Sequence, residues 1–422
     1  MKIGFICPNL PGHINPMTAL ARHLQVRGHE VVFLYSASAN GLPCVPGPKN
    51  DEMNANRPEI GRLEGFDALT FYCGVAAKET EAIFKSLPRM VKTTGIEALI
   101  LDPIQFFVEL AAMRLGIPYI DVSTALYLDY WGYTPLGIYD WPHKITIEAL
   151  IRNQEGIAKA VKLTYNERTK AYANGVSQVA DLDDPSSVFS KLAYITQLPK
   201  EFDFENPLLP PQFHYTGPFH DGKGRPDVDF PWHRLTGEPL IFASMGTIMN
   251  GRADAFSTIV AGVAEHKGTQ LVLSIGDQLD PTQVSPAPSN AIIVSHVPQL
   301  ELLKRTSVCI THAGLNTVLE SLAQGVPQVA IPVTFEQPGV AARIAAKKTG
   351  VTTPFQSLTS DRLSTLLGEV LHNPTYRENA RKFQDLISKT NGLSLAADIV
   401  ERSFGITKRQ TDVFQRPRKA PY

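Results

Sequence analysis

The chain has 422 residues, 43% of them hydrophobic, with 40 Lys and Arg against 41 Asp and Glu for a formal net charge of −1. Such a length makes two or three domains with cores of their own, and such a composition excludes global disorder. The balanced charge provides no chain-wide positive field to gather a phosphate backbone, so nucleic acid is not an expected partner.

Cys7, Cys44, Cys73 and Cys309 are far apart, with no Cys/His cluster at metal-ligand spacing, which suits a reduced cytosol. Met1 to Pro11 meets a Pro-Gly turn too early for a signal-peptide core, and no apolar run approaches the ~18 residues of a membrane span. The expected protein is cytoplasmic, with peripheral membrane contact left open.

Lys2 to Cys7 is an apolar run that reads as a strand. After the Pro-Gly turn, Asn15 and Pro16 supply a helix cap and first position. Met17, Leu20, Ala21 and Leu24 repeat at helical spacing, Gly28 stops the helix, and Val31 to Leu34 resumes an apolar run. The β-α-β pattern recurs with a strand at Ala98 to Leu101, a helix from Phe106 to Leu115 and a strand at Tyr119 to Val122. Strands apolar on both faces belong to a parallel sheet covered by helices on each side.

From Phe204 to Pro239 seven prolines mark a linker. Beyond it the alternation restarts at Leu240 to Ala243, a helix near Ala253 to His266, and strands at Leu271 to Ile275, Ile292 to Val294, Val308 to Ile310 and Gln328 to Ile331. The expected α/β architecture is an N-terminal Rossmann-like domain over 1–204, a linker over 205–239, a second Rossmann-like domain over 240–392, and a C-terminal helix and basic tail over 393–422. The tail from Thr407 to Tyr422 reads as solvated and frayed. Open α/β sheets bind ligands outside the carboxyl ends of their strands, so the cleft between the domains is the expected site.

In Val308 to Glu320 a strand leads through a His312-Ala313-Gly314 turn into a helix starting near Leu315 or Asn316. Its exposed N–H groups and positive dipole end attract phosphate, and Glu320 faces the same way as Asn316 and Thr317, where it can accept from vicinal sugar hydroxyls. On this segment alone, a capped helix in which Asn316 satisfies its own backbone explains the residues equally well.

With Val297-Pro298-Gln299 before it and Gly325-Val326-Pro327, Pro332 and Glu336-Gln337-Pro338 after it, the segment resembles the donor signature of the inverting UDP-sugar glycosyltransferases of the GT-B fold. That family includes plant, macrolide and carotenoid enzymes, and the resemblance covers nearly the whole chain. It implies His312 on the β-phosphate, Gly314, Asn316 and Thr317 around the diphosphate, and Glu320 on the ribose. Glu336 and Gln337 would hold the transferred sugar, Gln299 would lie beside base and ribose, and backbone groups of Val297 would read the uracil edge. Ser244-Met245-Gly246-Thr247 matches the family's Ser-x-Gly-Thr loop near the phosphates. Two positions depart from the plant pattern: His296 stands where a Trp stacks on uracil, and Glu336-Gln337 replaces Asp-Gln.

His13, in Gly12-His13-Ile14-Asn15-Pro16, and Asp102 each follow a strand, so both side chains can enter one cleft. The resemblance implies a dyad in which His13 takes the acceptor proton and Asp102 holds the other ring nitrogen. Alone, His13 reads as a solvated turn residue and Asp102 as a helix cap. The resemblance also places Thr124 on the donor sugar. Tyr127, Tyr130, Trp131, Tyr133, Tyr139 and Trp141 follow Thr124, and an acceptor pocket is the preferred reading of this cluster over ordinary core or a membrane-interface patch. Asp181-Leu182-Asp183 and Asp227-Val228-Asp229 read as solvated turns, not metal motifs.

The resulting expectation is a metal-independent O-glycosyltransferase with no cofactor beyond its UDP-sugar co-substrate, acting on a small lipophilic or aromatic acceptor. A UDP-sugar epimerase would need no acceptor, and a non-catalytic binder would need no base opposite the donor.

Overall fold

A computed structural model describes residues 1–47, 52–105, 107–173, 184–284 and 288–406. The Asp181-Leu182-Asp183 string, the tail from Thr407 to Tyr422, and Phe106 lie outside them.

The N-terminal half runs β1 (Lys2–Ile6), α1 (Pro11–Val26), β2 (Glu30–Leu34), β3 (Cys44–Val45), α2 (Glu52–Ile60), α3 (Gly65–Thr94), β4 (Ala98–Leu101), α4 (Val108–Leu115), β5 (Tyr119–Ser123), α5 (Ile147–Ala173), β6 (Tyr194–Thr196) and β7 (Phe213–Tyr215). The strands form one parallel sheet in the order β3-β2-β1-β4-β5-β6-β7. Ile3, Phe5 and Ile6 of β1 and all of β4 are buried, because helices cover both faces. β7 carries this sheet beyond residue 204, into the stretch expected to be linker.

The C-terminal half runs β8 (Leu240–Ser244), α6 (Ala253–Ala264), β9 (Gln270–Ser274), β10 (Ala291–Val294), α7 (Gln299–Leu303), β11 (Thr306–Thr311), α8 (Leu315–Ala323), β12 (Gln328–Ala330), α9 (Gln337–Ala346), β13 (Gly350–Thr352), α10 (Ser360–His372), α11 (Pro374–Lys389) and α12 (Gly392–Ser403). Its sheet is also parallel, in the order β10-β9-β8-β11-β12-β13. α12 returns to the first half. Leu393, Ala396, Ala397 and Val400 pack with Ile3, Phe5, Leu20 and Leu24, and Arg27 holds Asp398 at 2.7 Å and Glu401 at 3.0 Å.

One boundary differs from the sequence expectation in a way that matters for the site. α1 begins at Pro11, not Pro16, because an extended Leu10 and a proline with preset φ open the helix five residues earlier. Pro16 therefore sits inside the helix, and His13 lies in its first turn.

Candidate active site

In each sheet the strand order reverses about one pair, β1 beside β4 and β8 beside β11. Such switch points leave a crevice at the strand carboxyl ends. His13 and Asp102 follow β1 and β4, whereas Ser244 ends β8 and His312 follows β11. All but Asp102 line the same cavity of about 390 Å³, and Asp102 stands directly behind His13. The dyad geometry is tight: His13 Nδ1 is 2.8 Å from Asp102 Oδ2, and Asp102 is fully buried. Thr124 Oγ1 donates to that carboxylate oxygen at 2.6 Å and lies 2.8 Å from His13 Nδ1. The Thr124 hydroxyl is thus spent on the dyad, not held free for a donor sugar. Asp102 also accepts the Ile104 N–H at 3.1 Å within a turn, and it is not the helix cap read from the sequence, because α4 opens only at Val108, behind Phe107.

An Nδ1–H donated to Asp102 leaves Nε2 as the basic nitrogen. Burial pulls the His13 pKa down, but the charge and hydrogen bond of Asp102, with the charge of Glu336, push harder, and the net value lies above the ordinary 6.5. Burial likewise pushes the Glu336 carboxyl above its ordinary value.

On the facing wall His312 is buried, which drops its pKa to about 4 and keeps the ring neutral. A hydrogen bond with the Ser244 backbone offsets only part of that drop. Gly246 and Gly314 flank the ring so closely that a Cβ at either would overlap it. Between the two glycine contacts, Ala313 holds φ +66° and, farther on, Phe335 holds φ +55° just before Glu336. Non-glycine residues in this region carry strain, which concentrates at functional loops.

Glu320, 2% exposed, accepts Gln299 Nε2 at 2.7 Å and a two-pronged contact from Arg225. Gln337 turns its Oε1 onto the Val333 and Thr334 N–H groups at 2.9 and 3.1 Å, fixing the loop that carries Glu336. His296 sits at the mouth, 2.5 Å from Asp277. Val297, Thr247 and Thr317 line the cavity as well.

A sequence model of the family described as UDP-glucoronosyl and UDP-glucosyl transferase matches residues 75–390. The chain belongs to this family. It is 27% identical over 419 residues to the zeaxanthin glucosyltransferase of Pantoea ananas, covering 94% of both chains. It is 26% identical over 402 residues to the NDP-glycosyltransferase YjiC of Bacillus subtilis, covering 93% of this chain and 95% of that one. Among solved structures, the glycosyltransferase of kitacinnamycin superposes with a TM-score of 0.72 at 21% identity over 95% of this chain and 98% of that one. VinC in complex with DTDP does so with 0.70 at 19% identity over 96% of this chain and all of that one. These likenesses give the GT-B fold.

The N-terminal side of the glycosyltransferase's cavity differs from the acceptor wall expected from sequence. Of the six aromatics assigned to it, only Tyr127 lines the cavity. Tyr130 and Trp131 pack on Phe189, and Trp131 also on Phe213. Tyr139 stacks on Trp141 at 3.8 Å and donates its hydroxyl to the Gly156 carbonyl at 2.9 Å. The wall is built instead from Leu69 and Tyr72 of α3, Leu126, Leu136, Ile138 and Phe335. Sequence reasoning also missed Arg225, which reaches Glu320 from the Pro-rich segment. No motif marks it. Its strap is anchored at the other end by Arg22 of α1, which pairs with Asp221 at 2.6 Å.

Proposed function

We propose that this glycosyltransferase moves a hexose, with glucose the expected one, from UDP-sugar to a hydroxyl of a small lipophilic acceptor, in one inverting step without a metal. The observation that carries this reading is the His13–Asp102 pair facing, across one cavity, the His312 cradle at the start of α8. His13 Nε2 takes the acceptor proton as that oxygen bonds to the anomeric carbon, and the carbon–oxygen bond to the diphosphate breaks on the opposite face. Asp102 stabilises the imidazolium that forms.

Charge developing on the leaving diphosphate meets the α8 N–H groups and His312, whose pKa rises beside a dianion. Leu69, Leu126, Leu136 and Ile138 favour an apolar acceptor body, in keeping with relatives named for zeaxanthin. With UDP-α-glucose, NMR of the product is expected to show a β-linkage formed in EDTA. An α-linkage, or activity abolished by EDTA and restored by a divalent ion, would overturn the mechanism.

A further inference from the structure

Asn316, the second residue of α8, belongs by resemblance to the diphosphate, yet its side chain is committed elsewhere. Its Nδ2 donates to the Gly12 carbonyl at 2.7 Å and to the Thr124 carbonyl at 3.1 Å, and its Oδ1 accepts Gln197 Nε2 at 2.8 Å. Both amide hydrogens are used. Gln197, just after β6 and fully buried, also donates to the Thr124 carbonyl at 2.6 Å, while its Oε1 takes the Phe219 N–H at 3.4 Å.

Gly12 has a reason to accept from outside its helix. In α1 its carbonyl would receive the N–H of residue 16, but Pro16 has none. The proline leaves an acceptor at the residue before His13, and a side chain from the opposite domain fills it. Thr124, the other anchor, gives its hydroxyl to Asp102. The two peptides gripped by Asn316 are therefore those that carry the base and brace its carboxylate.

We infer that Gln197 is a positioning residue for the transfer step. By fixing the Asn316 amide, it sets the distance and angle between the phosphate helix α8 and the His13–Asp102 dyad. Asn316, on this account, measures domain alignment rather than binding phosphate. The inference rests on His13 being the base.

Gln197→Leu keeps the bulk and removes the donor. Its kcat is expected to fall roughly tenfold to a hundredfold, the scale of an ångström's misplacement, with UDP affinity by calorimetry unchanged within about twofold. The acid limb of the pH profile stays in place, because the His13–Asp102 bond is intact. Adding Asn316→Ser to Gln197→Leu is expected to cost little more than either alone, since they act through one link.

Unchanged kcat in Gln197→Leu, UDP affinity falling in step with kcat, or additive losses in the double variant would each overturn the inference. If Gln197→Leu does not fold, the single variant Asn316→Ser decides, with unchanged kcat or UDP affinity falling in step with kcat overturning it. His13→Ala run in parallel separates the two failures: full activity there removes the base assignment, whereas loss there with an active Gln197→Leu removes only the positioning role.

Discussion

The two walls of the cleft are built in opposite ways. The wall proposed for the donor comes largely from one stretch, His296 to Gln337, in which a strand, a turn and a helix bring His312, Thr317 and Glu320 together by local geometry. The wall proposed for the acceptor is gathered, apart from Phe335, from α1, α3, the loop after β4 and the loop after β5, and its residues meet only when the sheet has formed. A wall made by local geometry keeps its order in the sequence. One made by tertiary packing does not.

The sharpest way to break this comparison is to separate chemistry from nucleotide binding. His13→Ala is expected to lower kcat by ~10²–10⁴, the usual contribution of a general base, with UDP affinity retained in calorimetry. Glu320→Ala should do the reverse. It is expected to weaken UDP binding by roughly tenfold to a hundredfold, the range for losing hydrogen bonds to a charged group, while turnover at saturating donor falls far less. A Glu320→Ala enzyme with wild-type UDP affinity would remove that residue from the donor wall.

The pH profile tests the acceptor wall alone. On the proposed mechanism His13 works only when neutral, and its pKa lies above 6.5 because the Asp102 and Glu336 contributions outweigh burial. Activity should therefore rise with pH through a midpoint above that value. Asp102→Asn, which removes the main upward push, should move the midpoint downward as well as slowing turnover. A midpoint that stays put would detach Asp102 from His13.

The smallest effects sharpen the acceptor wall itself. Leu136→Ala, at the cavity surface, is expected to raise the acceptor KM about fivefold to tenfold through lost apolar contact. Trp131→Ala should leave that KM alone and cost roughly 2 kcal/mol of stability in denaturant titration, less than a fully buried ring because Trp131 is half-buried. An acceptor KM that follows Trp131 and ignores Leu136 would restore the wall expected from sequence.

The same contrast explains what was legible. The strands read correctly because their apolar runs are buried on both faces, and they put Asp102, directly after β4, and His13, in the first turn of the helix after β1, at one end of the sheet. The start of α1 was misplaced because Pro11 and Pro16 are both plausible first positions, and only the extended Leu10 decides between them. The aromatic cluster after Thr124 was assigned by composition. Nothing in one sequence shows that Phe189 and Phe213 cover Tyr130 and Trp131 from 50 and more residues away. Arg225 and Gln197 gave no signal either, since each works through a partner in the other half of the molecule, Glu320 and Asn316.

The central claim is that one wall holds the nucleotide while the other removes the proton. Its most direct test is UDP release from UDP-glucose in EDTA, with a panel of phenols and carotenoid diols, comparing wild type with His13→Ala and measuring UDP binding on both. The account predicts acceptor-dependent release by wild type, a loss of ~10²–10⁴ in the variant, and equal UDP affinity. Equal release by the two proteins, or a variant that no longer binds UDP, would contradict it.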